Sequence, residues 1–375
     1  MKIGILTFFW AENPGTFLQA YSTYRAAQKA FPDATVEMID VRSRRTGFRP
    51  SKRALLHPGR FLRALGKYRA YRKALEQMRF SKASYVGLDS NAGRSLVEQQ
   101  GYDLILVGSD TIYHLNPWHK ANDLLPVYFL AGTTARKAMV AASCGGTSLN
   151  DFSADMRTAA RDSLSDFARL GVRDRNTYDL FAALKGNEMG LELVPDPTYT
   201  YDIDLKKAEA ALVRHGFDFE ARTVLIHLPG TFTALRETVD WFRRRNWKIA
   251  TFRFTGYADY GLMVDPEEWA GIPHYVDLVI TDRFHGALFS LRNNTPVVGI
   301  DCDPSRLTSQ RSSKIQRLLE EYGLDAYYVN FVDGAPVDDY LTLLEKAAEV
   351  EIDVADLNQA RKERYMQFLR DLCPR

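Results

Sequence analysis

Residues 277–301, DLVITDRFHGALFSLRNNTPVVGID, constrain the fold more than any other stretch. In DLVIT four of five residues are apolar or β-branched, as in a strand buried within a parallel sheet. A tight polar turn follows, Asp282-Arg283-Phe284-His285-Gly286. GALFSLRN then puts Ala287, Leu288 and Leu291 on one helical face, and TPVVGI is the next strand, with Pro296 at its start, where a missing N–H is tolerated. This is a βαβ unit with a short helix. Its turn lies beyond the carboxyl end of a strand and at the start of a helix, where open α/β sheets bind ligands and backbone N–H groups favour anions. Arg283 and His285 make the turn the best candidate for a reaction centre, with Gly286 beside them. Each has a plain alternative: the Arg can pair with adjacent Asp282, and the His can simply pack or cap.

At 375 residues the chain is too long for one ordinary core, and two domains are expected. The expected boundaries are an N-terminal Rossmann-like domain over 1–200 with a basic helical excursion at 42–80, a C-terminal Rossmann-like domain over 205–350, and a helix in 351–375 that returns to the first domain. No apolar run reaches transmembrane length and no secretory leader is visible, so a cytoplasmic protein is expected. Cys144, Cys302 and Cys373 lack metal-binding spacing and read as reduced thiols. Charge is uneven. Between Arg42 and Arg79 stand thirteen Lys/Arg and one acid, Glu76, a local +12; the chain total is +2, so the remainder carries −10. Such a segment suggests an anionic neighbour. An anionic membrane at the inner face or a pyrophosphate-linked lipid fits, and a solvated helix is the plain alternative. Nucleic acid is not expected, because no recognition motif accompanies the charge.

Strands and helices alternate along the chain. KIGILTF (2–8) is a strand, 16–30 a helix with Phe17, Ala20, Tyr21 and Tyr24 at helical spacing, and TVEMIDV (35–41) a strand. The excursion is expected to be helical around 60–80. YDLILVGSD (102–110) is a strand running into Gly-Ser-Asp, HLNPWH an irregular loop, RKAMVAASCGG (136–146) a strand, and ARLGVRD (168–174) a strand ending in Arg-Asp, with a helix to about 167 capped by Asp151 or Ser153. After LELVPDPTY (191–199), Pro195, Pro197 and the polar stretch to about 204 read as an interdomain linker. The second half repeats the logic with helices at 205–215 and 234–246 and strands at 223–230 and 247–254. Helices near 310–322, 338–349 and 353–372 complete it. The fold class is α/β: two Rossmann-like domains facing across a cleft.

Three strand ends carry related chemistry: Gly108-Ser109-Asp110, Arg173-Asp174 and Arg283-Phe284-His285. Two arginines, a histidine and a helix start suit a small, highly charged anion. Arg311 and Lys314 in QRSSKIQRLL are expected one turn apart on a helix and would add positive charge. The chain has no GxxxxGK[ST] loop, HExxH, zinc cysteine cluster or GxSxG elbow, and no GxGxxG after its first strand.

The pieces MKIGILTF…NPGTFLQAY, DLILVGSD, VAASCGG, GVRD, VPDPT and VITDRFHG…TPVVGI, in this order over most of the chain, resemble the polysaccharide pyruvyl transferases. After GSD the chain departs from the family's pattern, with Thr111 and Tyr113. The resemblance implies a GT-B-like pair of domains and transfer of the enolpyruvyl carbons of phosphoenolpyruvate onto sugar hydroxyls, giving a pyruvate ketal and phosphate in cell-surface polysaccharide synthesis. It implies phosphoenolpyruvate as donor, a sugar or lipid-linked saccharide as acceptor, and neither cofactor nor metal. By position, Arg283 and His285 would be the reaction-centre pair and Arg173 a second anion contact. Asn13, Gln19, Ser109, Asp110, Gly286, Arg311 and Lys314 would line the substrate site. The competing expectations are a GT-B-type glycosyltransferase using a nucleotide sugar, and a non-catalytic carbohydrate or lipid-carrier binding protein.

Overall fold

A computed structural model describes residues 1–10, 12–42, 58–87, 89–115, 124–252, 255–307 and 313–372. They group into two compact units, one from Met1–Ser51, Arg72–Tyr201 and Gln359–Arg375, the other from Lys52–Tyr71 and Asp202–Asn358. Each unit holds one parallel sheet.

In the first unit the strands are β1 (Lys2–Leu6), β2 (Thr35–Arg42), β3 (Phe80–Val86), β4 (Leu104–Val107), β5 (Arg136–Ala142), β6 (Arg169–Val172) and β7 (Leu191–Leu193). They lie side by side in the order β3-β2-β1-β4-β5-β6-β7, every pair parallel. The apolar run LILV of β4 is buried at every position, because helices cover both faces of such a sheet. Between the strands run α1 (Pro14–Ala30), α2 (Pro58–Leu75), α3 (Ser90–Gln99), α4 (Ala154–Ser165) and α5 (Arg175–Lys185). Local chemistry sets their ends. Asn13 caps α1 ahead of Pro14, and Ser153, not Asp151, caps α4. Asp174 caps α5, and Gly186 ends it at φ +75°.

The second unit contains β8 (Thr223–His227), β9 (Lys248–Thr251), β10 (Tyr260–Gly261), β11 (Leu278–Thr281), β12 (Val297–Asp301) and β13 (Tyr328–Asn330), ordered β10-β9-β8-β11-β12-β13 and again all parallel. Its helices are α6 (Leu205–Arg214), α7 (Leu235–Arg244), α8 (Pro266–Gly271), α9 (Phe284–Arg292), α10 (Lys314–Glu321) and α11 (Val337–Ala347). Val224, Ile226, Leu278, Ile280, Val298 and Ile300 of the three central strands pack with Phe242, Trp241 and Tyr340 in one core.

Several sequence expectations need correction. The excursion helix stops at Leu75, and a strand and a helix that the sequence reading did not anticipate, β3 and α3, follow. β3 is an edge strand of mixed burial, FSKASYV, so its apolar signal is thin. The passage between units falls at Tyr201/Asp202, inside the stretch expected to link them, but Pro197–Thr200 within it is a buried turn packed against α1. The helix after β11 begins at Phe284, so His285 and Gly286 stand in its first turn rather than in a loop. HLNPWH falls mostly outside the described residues, as do Arg311 and Cys373.

The last helix, α12 (Ala355–Arg370), contributes Gln359 onward to the first unit. Phe368, fully buried, presses on β6 at Gly171, where a Cβ would meet its ring at 2.5 Å and the Met139 carbonyl at 2.8 Å. Arg169 lies over the Phe368 ring at 4.9 Å. Phe368→Ala should lower the unfolding free energy of this unit by about 3–5 kcal/mol in urea denaturation. A loss under about 1 kcal/mol would mean that this contact does not hold the helix.

Candidate functional site

In each sheet the strand order reverses direction at one place: between β1 and β4 in the first unit, and between β8 and β11 in the second. The loops leaving neighbouring strands diverge there, opening a crevice at the carboxyl edge. Both crevices carry residues that the sequence singles out.

In the first unit, Gly108 ends β4 at φ +124°, and a Cβ there would run into the Val140 carbonyl at 2.4 Å. Only glycine suits that position. Ser109 is buried and its carbonyl accepts from the Thr7 hydroxyl at 2.8 Å. Asp110 has a left-handed backbone, φ +76°, held by the Ser143 N–H donating to its carbonyl at 2.9 Å. Its carboxylate accepts from the Thr111 N–H (2.7 Å) and hydroxyl (2.9 Å), and from the Thr16 hydroxyl of α1 at 3.2 Å. One turn on, Gln19 is fully buried; its Oε1 lies 3.4 Å from Arg173 Nη1, which donates to Asp196 at 2.6 Å. The side chains of that ion pair are 6% and 1% exposed. Burial works against the guanidinium charge, but Asp196, Asp110 and Asp174 together outweigh it and hold Arg173 above its ordinary pKa. Asn13 is exposed, its side chain accepting from the Gly15 N–H at 2.9 Å. Thus Asn13, Gln19, Ser109, Asp110 and Arg173 share one rim. Two polar groups on it, Gln19 Nε2 and Ser109 Oγ, are buried without a hydrogen-bond partner among the described residues.

In the second unit, β11 pairs with β8 so that Thr281 stands opposite His227. The Asp282 N–H donates to the His227 carbonyl at 3.4 Å, and the Arg283 N–H to the Thr281 hydroxyl at 3.0 Å. Asp282 is 1% exposed and holds Arg283 Nε at 3.1 Å, leaving the arginine side chain 40% exposed. Arg283 is the N-cap of α9 and supplies no capping acceptor, unlike Asn13, Asp174 or Ser153 at their helices. His285 is half-buried, its ring edge-on to Phe284. Gly286 is buried, and a Cβ there would meet Thr281 Oγ1 at 2.5 Å. Lys314 is the first residue of α10, behind the Ser313 cap. His227 was not singled out by the sequence. It is the last residue of β8 and its ring lies edge-on to Phe252 and Trp269. The same signal that marks Arg283, a polar residue at the carboxyl end of an apolar strand, marks it in TVLIHLPG. Among the described residues, no group of three or more His, Cys, Asp or Glu could hold a metal ion.

The family model of the polysaccharide pyruvyl transferases matches residues 13–304, which include both rims. The chain belongs to the polysaccharide pyruvyl transferase family. No curated protein matches it in sequence. Among solved structures, this pyruvyl transferase family member is similar to the UDP-GlcNAc 2-epimerase of Methanocaldococcus jannaschii, at 12% identity and TM-score 0.53, over 99% of each chain. It is also similar to the Neisseria meningitidis UDP-GlcNAc 2-epimerase bound to UDP-GlcNAc, at 9% identity and TM-score 0.51, over 98% of this chain and 100% of that one. At such identities the likeness concerns the fold alone, which is GT-B-like.

The Arg173–Asp196 pair yields a stability test. Asp196→Ala leaves a buried guanidinium without its closest carboxylate and should cost about 3–5 kcal/mol, whereas replacing both partners with apolar residues of similar volume should cost far less. Urea denaturation of the single and double variants measures this. Equal losses for the two would mean that burial of the unpaired charge is not the cause.

Proposed function

We propose that this family member transfers the enolpyruvyl unit of phosphoenolpyruvate to two hydroxyls of a sugar or lipid-linked saccharide, forming a pyruvate ketal and releasing phosphate. The family match carries this reading. The chemistry at the start of α9 supports it. Phosphoenolpyruvate bears close to three negative charges in a small volume, so it needs cations that reach solvent. Arg283 is such a cation, and its place is otherwise unfavourable, since a positive side chain sits at the positive end of a helix dipole. Buried Asp282 offsets part of that cost. A bound anion would meet Arg283 together with the outward-pointing N–H groups of the first helical turn.

The roles we assign rest on the family resemblance and on where these side chains stand. Arg283 binds the donor's phosphate or carboxylate, with Lys314 as a further cation of the same unit. His285, two residues on, protonates the methylene carbon at C3, turning it into the ketal's methyl group. One acceptor hydroxyl adds to the electron-poor C2 and gives up its proton. The C2–O bond to phosphate breaks, and the helix start stabilises the departing charge. A second hydroxyl attacks C2 and closes the ring, its proton leaving with phosphate or solvent. Arg173 is assigned a different part. Its guanidinium donates to Asp196 and lies in the field of three carboxylates, which disfavours a trianion beside it, and we assign it to fixing the position of Asp196 and Gln19.

Phosphate release from phosphoenolpyruvate with saccharide acceptors tests the proposal. His285→Ala should lower turnover by about 10²–10⁴-fold with the fold intact. Arg283→Ala should raise the donor KM, and should also lower turnover because the guanidinium meets more charge on the departing phosphate in the transition state than in the ground state. Near-native activity in the His285 variant would remove it from the chemistry. Failure to release phosphate with any acceptor, alongside UDP release from a nucleotide sugar, would make the protein a glycosyltransferase instead.

A further inference from the structure

Helix α2 presents a face that the reaction does not use. Leu62, Gly66, Arg69 and Lys73 recur at intervals of four, three and four residues and so share one side of the helix. Leu62 is 65% exposed. Gly66 leaves room for Met263, whose sulfur would lie 3.7 Å from a Cβ at that position; Met263 is itself 43% exposed. Two exposed apolar side chains therefore flank one glycine. Around them stand Arg63, Lys67, Arg69, Arg72 and Lys73, all exposed. Between Pro58 and Arg79 the one acid is Glu76, beyond the helix end.

We propose that this face docks onto an anionic lipid surface, with Leu62 and Met263 entering the headgroup layer and the surrounding cations facing lipid phosphates. Clustered Lys and Arg on an exposed helix face are drawn to an anionic lipid surface, and exposed apolar side chains between them can enter its headgroup layer. Among the described residues no helix is long and apolar enough to cross one. Nucleic acid fits less well. A single-strand binder offers rings for bases to stack on, whereas Tyr71 is buried and Phe61 and Tyr68 are half-buried. The inference is independent of the pyruvyl-transfer reading.

Co-sedimentation of the full chain with lipid vesicles tests it. Vesicles with about 30% phosphatidylglycerol should bind the protein at least roughly ten-fold more tightly than phosphatidylcholine alone, and roughly 0.5 M salt should weaken that binding. The triple variant R63E/K67E/R69E should lose the preference for anionic vesicles while keeping the wild-type thermal midpoint. Leu62→Asp should weaken binding without removing its salt dependence. Equal sedimentation of wild type and triple variant, or no binding to anionic vesicles, overturns the proposal. So does binding of a single-stranded oligonucleotide, lost in the triple variant, without vesicle binding.

Discussion

Parallel strands cannot be joined by hairpins, so each connection must cross back over the sheet, and helices come to cover both faces. In this chain every strand pair in both sheets is parallel. Each sheet then has a single edge at which all its strands end, and with faces closed by helices a polar ligand has little other access to the backbone. That constraint explains why residues as distant in sequence as Gln19, Asp110, Arg173 and Asp196 converge on one rim. It also explains why His227 and Arg283, more than fifty positions apart, stand on adjoining strand ends.

The two rims, taken separately, have opposite electrostatic character. The first unit places one guanidinium among three carboxylates, with that guanidinium buried. Separating a buried ion pair of this kind is costly, because either charge left alone would stay buried. The second unit places one half-exposed guanidinium on one buried carboxylate at a helix start. There the cation reaches solvent while its anchor does not. Two arginines that look equivalent in the sequence, each beside an Asp at a strand end, thus differ in burial and in what they pair with. The sequence offers both for anion binding, and neighbouring letters do not show that Arg173 turns toward Asp196, twenty-three positions on.

The α/β class and the central strands were legible because parallel strands buried on both faces are near-continuous apolar runs, as in LILV and LVIT. Edge elements were less so. β3 pairs on one side and mixes Ser, Lys and Tyr, and β10 is two residues long; neither gives an apolar period to read. Pro195-Asp196-Pro197-Thr198 looked like a linker because prolines and polar residues mark loops on average. Here Asp196 accepts from the Thr198 N–H at 2.9 Å and its hydroxyl at 2.6 Å, so the polar groups satisfy one another and the turn can be buried. The polar DRFHG stretch stands out because it follows an apolar strand, but the sequence hides its helix start, because Arg is an uncommon N-cap and carries no capping signal.

Within that stretch the fold itself accounts for some of the residues. Gly286 is required because α9 passes so close to β11 that any Cβ would overlap the Thr281 hydroxyl. Thr281 in turn is tied down by the Arg283 N–H, which fixes where the helix begins. Asp282, nearly inaccessible, is explained by the cation it holds. What packing does not explain is why a cation should stand at that helix start, where an Asp, Ser or Asn would cap the helix and favour its dipole, or why a half-exposed imidazole should follow it. A Ser or Asp at 283 would add stability of about 1 kcal/mol through the cap. The chain forgoes that gain, and the anion-binding, proton-transferring site proposed above would be a reason to do so.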